Sequence, residues 1–496
     1  MPELLALGAD PLSIEDVVRV ARRGVAVRLT GGARSRIAKG RACLEELLAR
    51  GERIYGVNTG VGGNVGISLA PEQMELLQHN IVRHLSCATG QPLPRDVVRA
   101  ATLLRIATFL TGASAVRNQL VDALAELLNR GVTPVVPRYG SVGASGDLMP
   151  SAYIARVLVG MGEAEFQGRV LPAVEALAAA GLPQVRFAPK EALALINGTT
   201  MMTAVAALLW TDAFRVLRAL LGAVALSIEA LGAPDLPFDA WVHERKGHPG
   251  QIAVAARMRE LLAGSGNTRP SGGQSCYSLR CPPQGLGQVW EALTESRAPI
   301  EREINSANDN PLVDPETGRL YKAGNFYGGH IARLLDTWKL DFAAMANWGN
   351  AVMAVLVDDR FNGGLPANLS PQPGVNSGFK GMQLSITSLT CAVRQMAGPS
   401  SIHSLPTEQY NQDVVSLGMH AAVTAMDALE CLRNQTAMLL LAAAQAVDLG
   451  GRVEKLGAGS RLVYQAVRGR AEFLEQDRPM EREVAAVAEH ILAEDL

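Results

Sequence analysis

Three stretches of this chain are apolar on every side for longer than a surface helix allows. They are "NGTTMMTAVAALLWTDAFRVLRALLGAVALSIEALG", "HIARLLDTWKLDFAAMANWGNAVMAVLVDDRF" and "SLGMHAAVTAMDALECLRNQTAMLLLAAAQAVDLG". A helix without a polar face has to be covered all round, by other helices or by lipid. Lipid is the poorer reading. The most apolar runs, near 201–232 and 436–448, are broken by Asp212, Arg215 and Arg218 or fall short of a span. The three come from distant parts of the chain, so the expectation is a central helical bundle. Composition agrees: aromatics are only 5% while Ala and Leu abound, which favours helix over sheet.

The rest of the chain punctuates itself. "ARSRIAKGRACLEELLARG" reads as a helix closed by Gly51, and "RNQLVDALAELLNRG" as one closed by Gly131. "PEQMELLQHNIVRHLSCATG" reads as a helix running to Gly90, and strand signals are short, such as "RVLPAV". The fold class expected is mainly α, with an N-terminal domain over 1–200 and a helical bundle over 201–496. A net charge of −2 gives no reason to expect nucleic acid or an anionic membrane as partner. The first twenty residues carry acids where a secretion signal has bases, and the six cysteines lack metal-type spacing. A soluble, cytoplasmic protein with free thiols is the expectation.

One break between helices carries more chemistry than a turn needs. "YGSVGASGDLMPSAYIA" places Gly140, Ser141, Gly143, Ala144, Ser145 and Gly146 before an acid and an apolar helix. A turn at a helix N-terminus, with Asp147 in the first turn, accounts for the spacing. A phosphate loop does not, because the Lys and the preceding strand are missing. A third reading is covalent. If the backbone bends so that the Gly146 nitrogen meets the Ala144 carbonyl, the three residues can close into a ring. Gly suits that approach because it has no Cβ. Loss of water and of the Ser145 hydroxyl would leave a methylidene-imidazolone, a strong electrophile.

The longer motif "GSVGASGDLMP" stands in company: "YGVNTG", "ALINGTT", "HPGQ", "YSLRCPPQ", "INSANDNPL", "GNF", "NSGF" and "NQDVVSLG". In this order, over nearly the whole chain, they resemble the aromatic amino acid ammonia-lyases and related aminomutases. The resemblance implies a 4-methylidene-imidazole-5-one made by the chain itself from Ala144-Ser145-Gly146, with no metal. It implies a homotetramer whose sites draw on several subunits, and a small aromatic amino acid as substrate. Tyr55 matches the family's β-proton base. A phenol has a pKa near ~10, so the site is expected to favour the phenolate. Arg280 matches the clamp on the substrate carboxylate, a task suited to a planar fork. Tyr277 and Asn197 match residues beside the ring and the amine, Asn325 and Phe326 the wall, and Asn411 and Gln412 polar neighbours. For the amides, satisfying buried backbone is the rival role.

Substrate choice is expected to turn on His84-Leu85. In the family, His-Leu at this point accompanies tyrosine, Phe-Leu phenylalanine and Ser-His histidine. Leu77, Ile81 and His84 share one helical face. There a lone His is ordinarily a packed core residue; here it can also meet a phenol hydroxyl. L-Tyrosine, giving 4-coumarate and ammonia, is the expected reaction. Three features differ from that pattern: Val61 after "YGVNTG", Ser275-Cys276 before Tyr277, and only 25 residues between Gln251 and Tyr277, where a lid is expected. Glu408, in "EQYNQDVVSLG", resembles the phenylalanine enzymes and implies relaxed selectivity. An aminomutase would use the same residues and differ only in product. A metal hydrolase has only His243 and His248 to offer, without the HExxH pattern. A purely structural bundle gives no reason for Tyr55, Arg280 and Ala144-Ser145-Gly146 to occur together.

Overall fold

The computed structural model describes residues 3–269 and 274–493. It is mainly α, as expected. Strands are short and gathered into small two- and three-stranded sheets among the described residues. The helices end where their sequences say. Gly24 and Gly131 both take left-handed conformations just past a last turn, and a capping box at Ser13 opens Ile14–Arg23. One boundary differs. The helix from Pro71 ends at His84 rather than at Gly90, because Thr89–Pro92 is drawn into pairing with Pro137–Tyr139.

The chain divides into two compact units. The first comprises Met1–Leu208, Arg297–Leu335 and Pro399–Val423; the second comprises Leu209–Ser296, Asp336–Gly398 and Thr424–Leu496. Four helices contain the unit boundaries: Thr200–Leu231, Pro282–Ile304, Gly329–Val357 and Gly418–Leu449.

In the first unit, the helix Arg95–Leu110 is buried from Val97 to Leu110. Two arginines lie in that buried run. Arg99 solves its burial by donating to the carbonyls of Val20, Ala21 and Leu128. The helices Pro71–His84 and Leu148–Leu158 both pack against the short helix Glu191–Ile196.

In the second unit, Gly250 and Gly287 let two helices meet backbone to backbone. A Cβ on Gly250 would lie 2.0 Å from the Gly287 oxygen, which gives the glycine of "HPGQ" a packing role. Trp338 is fully buried and donates to Ser296 at 3.1 Å, and Gln435 bridges Ala346 and Thr390. Among the described residues, Gly329–Val357 is long and apolar enough to cross a membrane by length and composition alone. It also holds the buried Lys339–Asp336 ion pair, 2.9 Å.

Candidate active site

A cavity of about 340 Å³ opens in the first unit where the loop after Ile54 faces the Ala144-Ser145-Gly146 turn. The turn is tightly bent. Ser145 has φ +56°, Gly146 +77° and Gly143 +80°, all left-handed. The Gly146 N–H donates to the Gly143 carbonyl at 3.2 Å. Gly198 clasps the bend from below: its N–H donates to the Ser145 carbonyl at 3.2 Å, and its carbonyl accepts from the Asp147 N–H at 2.7 Å. A Cβ on Gly146 would sit 2.1 Å from the Gly198 oxygen and 2.9 Å from that of Phe326. Only glycine fits there, which accords with the glycine that the ring reading calls for. The Ser145 hydroxyl accepts from the Gln412 side chain at 3.2 Å.

Asp147 corrects a detail of the sequence reading. It stands at the N-cap of Leu148–Leu158, but its carboxylate does not cap that helix. One oxygen instead accepts from the N–H groups of Met201 and Met202 at 3.0 and 2.8 Å, at the start of Thr200–Leu231. Its second oxygen is buried without a partner. Full burial pushes this carboxyl up to about 7, against those two N–H groups and Arg105.

Tyr55 faces the cavity. Its phenol oxygen accepts from the Gly62 N–H at 2.8 Å, so that contact favours the phenolate. The sum runs the other way from the sequence expectation. Burial, chiefly, and the charge of Glu408 hold the phenol above its ordinary pKa, outweighing Gly62. Glu408 accepts from the Gly63 N–H at 3.1 Å and lies over Gly62. It begins three successive left-handed residues, Glu408, Gln409 and Tyr410, an unusual run for side-chain-bearing residues.

At the opposite wall, His84 is the last residue of its helix, and Leu85 follows buried. His84 is not a core histidine. The residue is exposed, and its ring lines the cavity and makes no hydrogen bond among the described residues. Partial burial lowers its pKa, which favours the neutral imidazole. Apolar side chains complete the walls, including Ile81, Met149, Leu193 and Ile196. Asn197 lines the cavity too, with its side-chain oxygen buried and unpartnered.

The other expected residues do not line this cavity. Asn325 borders a separate hollow beside Glu303 and Tyr327 and donates to the Ala307 carbonyl at 3.0 Å. Phe326 abuts Gly146 through its backbone oxygen. Asn411 is exposed, and its backbone N–H closes the turn onto Glu408. Tyr277 and Arg280 belong to the second unit, where the guanidinium lies 4.8 Å from the Tyr277 ring centre. Tyr277 is 71% exposed, and Arg280 makes no ion pair among the described residues. Among the described residues no structural salt bridge therefore occupies Arg280. Of the expected lid, residues 270–273 lie outside the described residues.

A helical scaffold presents a left-handed Ala-Ser-Gly bend and a half-buried tyrosine to a small, mostly apolar cavity, which fits the lyase family that the motifs resemble. Comparison with known proteins agrees. The aromatic amino acid lyase family matches residues 12–469, and the chain belongs to it. Histidine ammonia-lyase from Streptococcus pyogenes is 36% identical over 97% of this chain and 94% of its own length. Tyrosine aminomutase from Streptomyces globisporus superposes with a TM-score of 0.94 at 33% identity, over 99% of this chain and 97% of that one. Phenylalanine aminomutase from Pantoea agglomerans gives 0.94 at 32%, over 99% of both chains.

Proposed function

We propose that this chain deaminates L-tyrosine to 4-coumarate and ammonia, with some acceptance of phenylalanine. The observation that carries the choice is the free, neutral imidazole of His84 in an otherwise apolar wall beside Leu85. A phenol hydroxyl gives that ring a partner, while Leu85 packs the aromatic face.

In this reading the Ala144-Ser145-Gly146 bend closes into the methylidene-imidazolone. Once formed, that group supplies an electrophilic carbon for the substrate amine and so makes ammonia able to leave. The remaining steps belong to side chains. Tyr55 takes the β-proton, its oxygen steadied by the Gly62 N–H. Because burial raises its pKa, the cationic amine of an arriving substrate is what would favour the phenolate. Asn197 and Gln412 orient groups beside Ser145, with Tyr277 assisting. Arg280, without an ion pair of its own, binds the carboxylate through its fork. Asn325, Phe326 and Asn411 complete the surroundings in the assembled enzyme, which we take to be a homotetramer in the cytoplasm.

A second reading, an aminomutase, is favoured by the two structural neighbours of that activity. Histidine deamination is favoured by the streptococcal relative. One experiment separates all three: incubation with Tyr, Phe and His in turn, followed by chromatography of the products. 4-Coumarate from Tyr supports the proposal; a β-amino acid or exclusive turnover of His overturns it.

A further inference from the structure

Beneath the ring-forming bend lies a buried cation without a task in the reading above. Arg105 is fully buried midway along Arg95–Leu110. A cation there must be hydrogen-bonded and balanced by charge, or it would be costly to keep. Its terminal nitrogens give three hydrogen bonds, all to one short segment. Nη1 donates to the carbonyls of Ala194 at 3.1 Å and Asn197 at 2.7 Å; Nη2 donates to the Thr200 hydroxyl at 3.1 Å. Burial holds the Arg105 pKa down to about 10, and the charges of Asp309 and Asp147 act against it. Asp309 is itself fixed by Lys190 at 2.7 Å and Ser114 at 3.1 Å.

Between Arg105 and the bend stands Gly198, at φ +131°. A Cβ on it would lie 3.0 Å from Arg105 Nη2 and 2.2 Å from Asn308 Oδ1. This is the peptide that clasps Ser145 and Asp147. Arg105 grips the chain immediately before Gly198, at Asn197, and two residues after it, at Thr200. Ring closure requires two backbone atoms to be held at near-attack distance, and the holding has to come from neighbours.

We propose that Arg105 is a positioning residue for closure of the Ala144-Ser145-Gly146 ring, acting through the Gly198 peptide; this rests on the reading that the ring forms. The Gly146 nitrogen bonds to the Ala144 carbonyl carbon. The first water carries off that carbonyl oxygen with the Gly146 and Ser145 amide hydrogens. The second takes the Ser145 hydroxyl and the Ser145 Cα hydrogen. No oxidant enters. Arg105 takes no part in these bonds; it keeps the clasp in place while they change. A lysine would keep the charge but not the fork that reaches three acceptors.

The test is intact mass of the purified chain, with Ser145→Ala as the zero reference. The wild type is expected to have lost two waters in nearly every chain. Arg105→Lys, folded by circular dichroism, is expected to retain both waters in most chains. Thr200→Val, which removes one acceptor, is expected to fall between. A purely structural role would lower the melting temperature without changing the dehydrated fraction of folded chains. Folded Arg105→Lys that loses both waters as completely and as fast as the wild type overturns the proposal. Should Arg105→Lys fail to fold, Thr200→Val decides: full dehydration overturns it. A wild type that keeps both waters sinks the ring reading itself, and this inference with it.

Discussion

At the scale of single residues, His84 and Tyr55 are each open to a decisive substitution. His84→Phe fills the polar corner with an apolar ring and leaves a bound phenol hydroxyl unpaired, at a cost of about 1–3 kcal/mol. The ratio of kcat/KM for Tyr over Phe is expected to fall by about 5- to 150-fold and to invert. An unchanged ratio would assign selectivity elsewhere in the wall. Tyr55→Phe is expected to lower kcat by about 10²-fold or more while KM moves little, since general-base groups contribute at that level. Glu408 offers a finer probe. Its charge raises the Tyr55 pKa, so Glu408→Gln lowers it, and the rising limb of the kcat–pH profile should move to lower pH. A shift to higher pH would contradict the electrostatics described here. The resemblance carried by the motifs pointed to Tyr55, Ser145, His84 and Gln412, and all four line the cavity. Arg105 was not singled out, although "ATLLRIATFL" carries the signal: an Arg inside an apolar helical run has to be bonded to something.

At the scale of elements, glycines set how closely helices meet. Gly250→Ala would push a Cβ to 2.0 Å from the Gly287 backbone oxygen, which cannot rotate away. Separating the two helices is expected to cost about 1–3 kcal/mol, read as a lowered melting temperature. Gly381→Ala, on the helix Lys380–Met396 with open space around it, is the control and should be neutral or slightly stabilising. Long helices were easy to see in the sequence because all-round apolarity persists over many turns. The end of Pro71–His84 was not, because a strand pairing far along the chain decided it. The partners of the Asp147 carboxylate were hidden for the same reason. Its partners, Met201 and Met202, lie over fifty positions away and leave no mark near residue 147.

For the whole molecule, stability should depend on pH in a direction set by buried, poorly partnered acids. Asp341 has one oxygen buried without a partner, and burial raises its pKa to about 7. In the unfolded chain an Asp titrates near ~3.9. Between those values the folded state binds more protons, so this group makes stability fall as pH rises through that window. Asp341→Asn should therefore match the wild type near pH 4 and melt higher above pH 7; equal melting temperatures at both ends would contradict this. The two compact units carry a different consequence. Each is gathered from three separate stretches, and four of the five boundaries fall inside continuous helices, the fifth lying in the loop at Gly398–Pro399. No single cut yields either unit as one polypeptide, and no cassette bounded by two loops transfers the cavity to another scaffold. A recombination library built from relatives of this chain therefore has to place its crossovers within a helical register. Parents that differ by one residue between junctions would rotate every following side chain by about 100°. Exchange among relatives is thus confined to partners of matched helix length, and substrate preference in this lineage is redrawn by point substitution or by exchange that keeps the inherited frame.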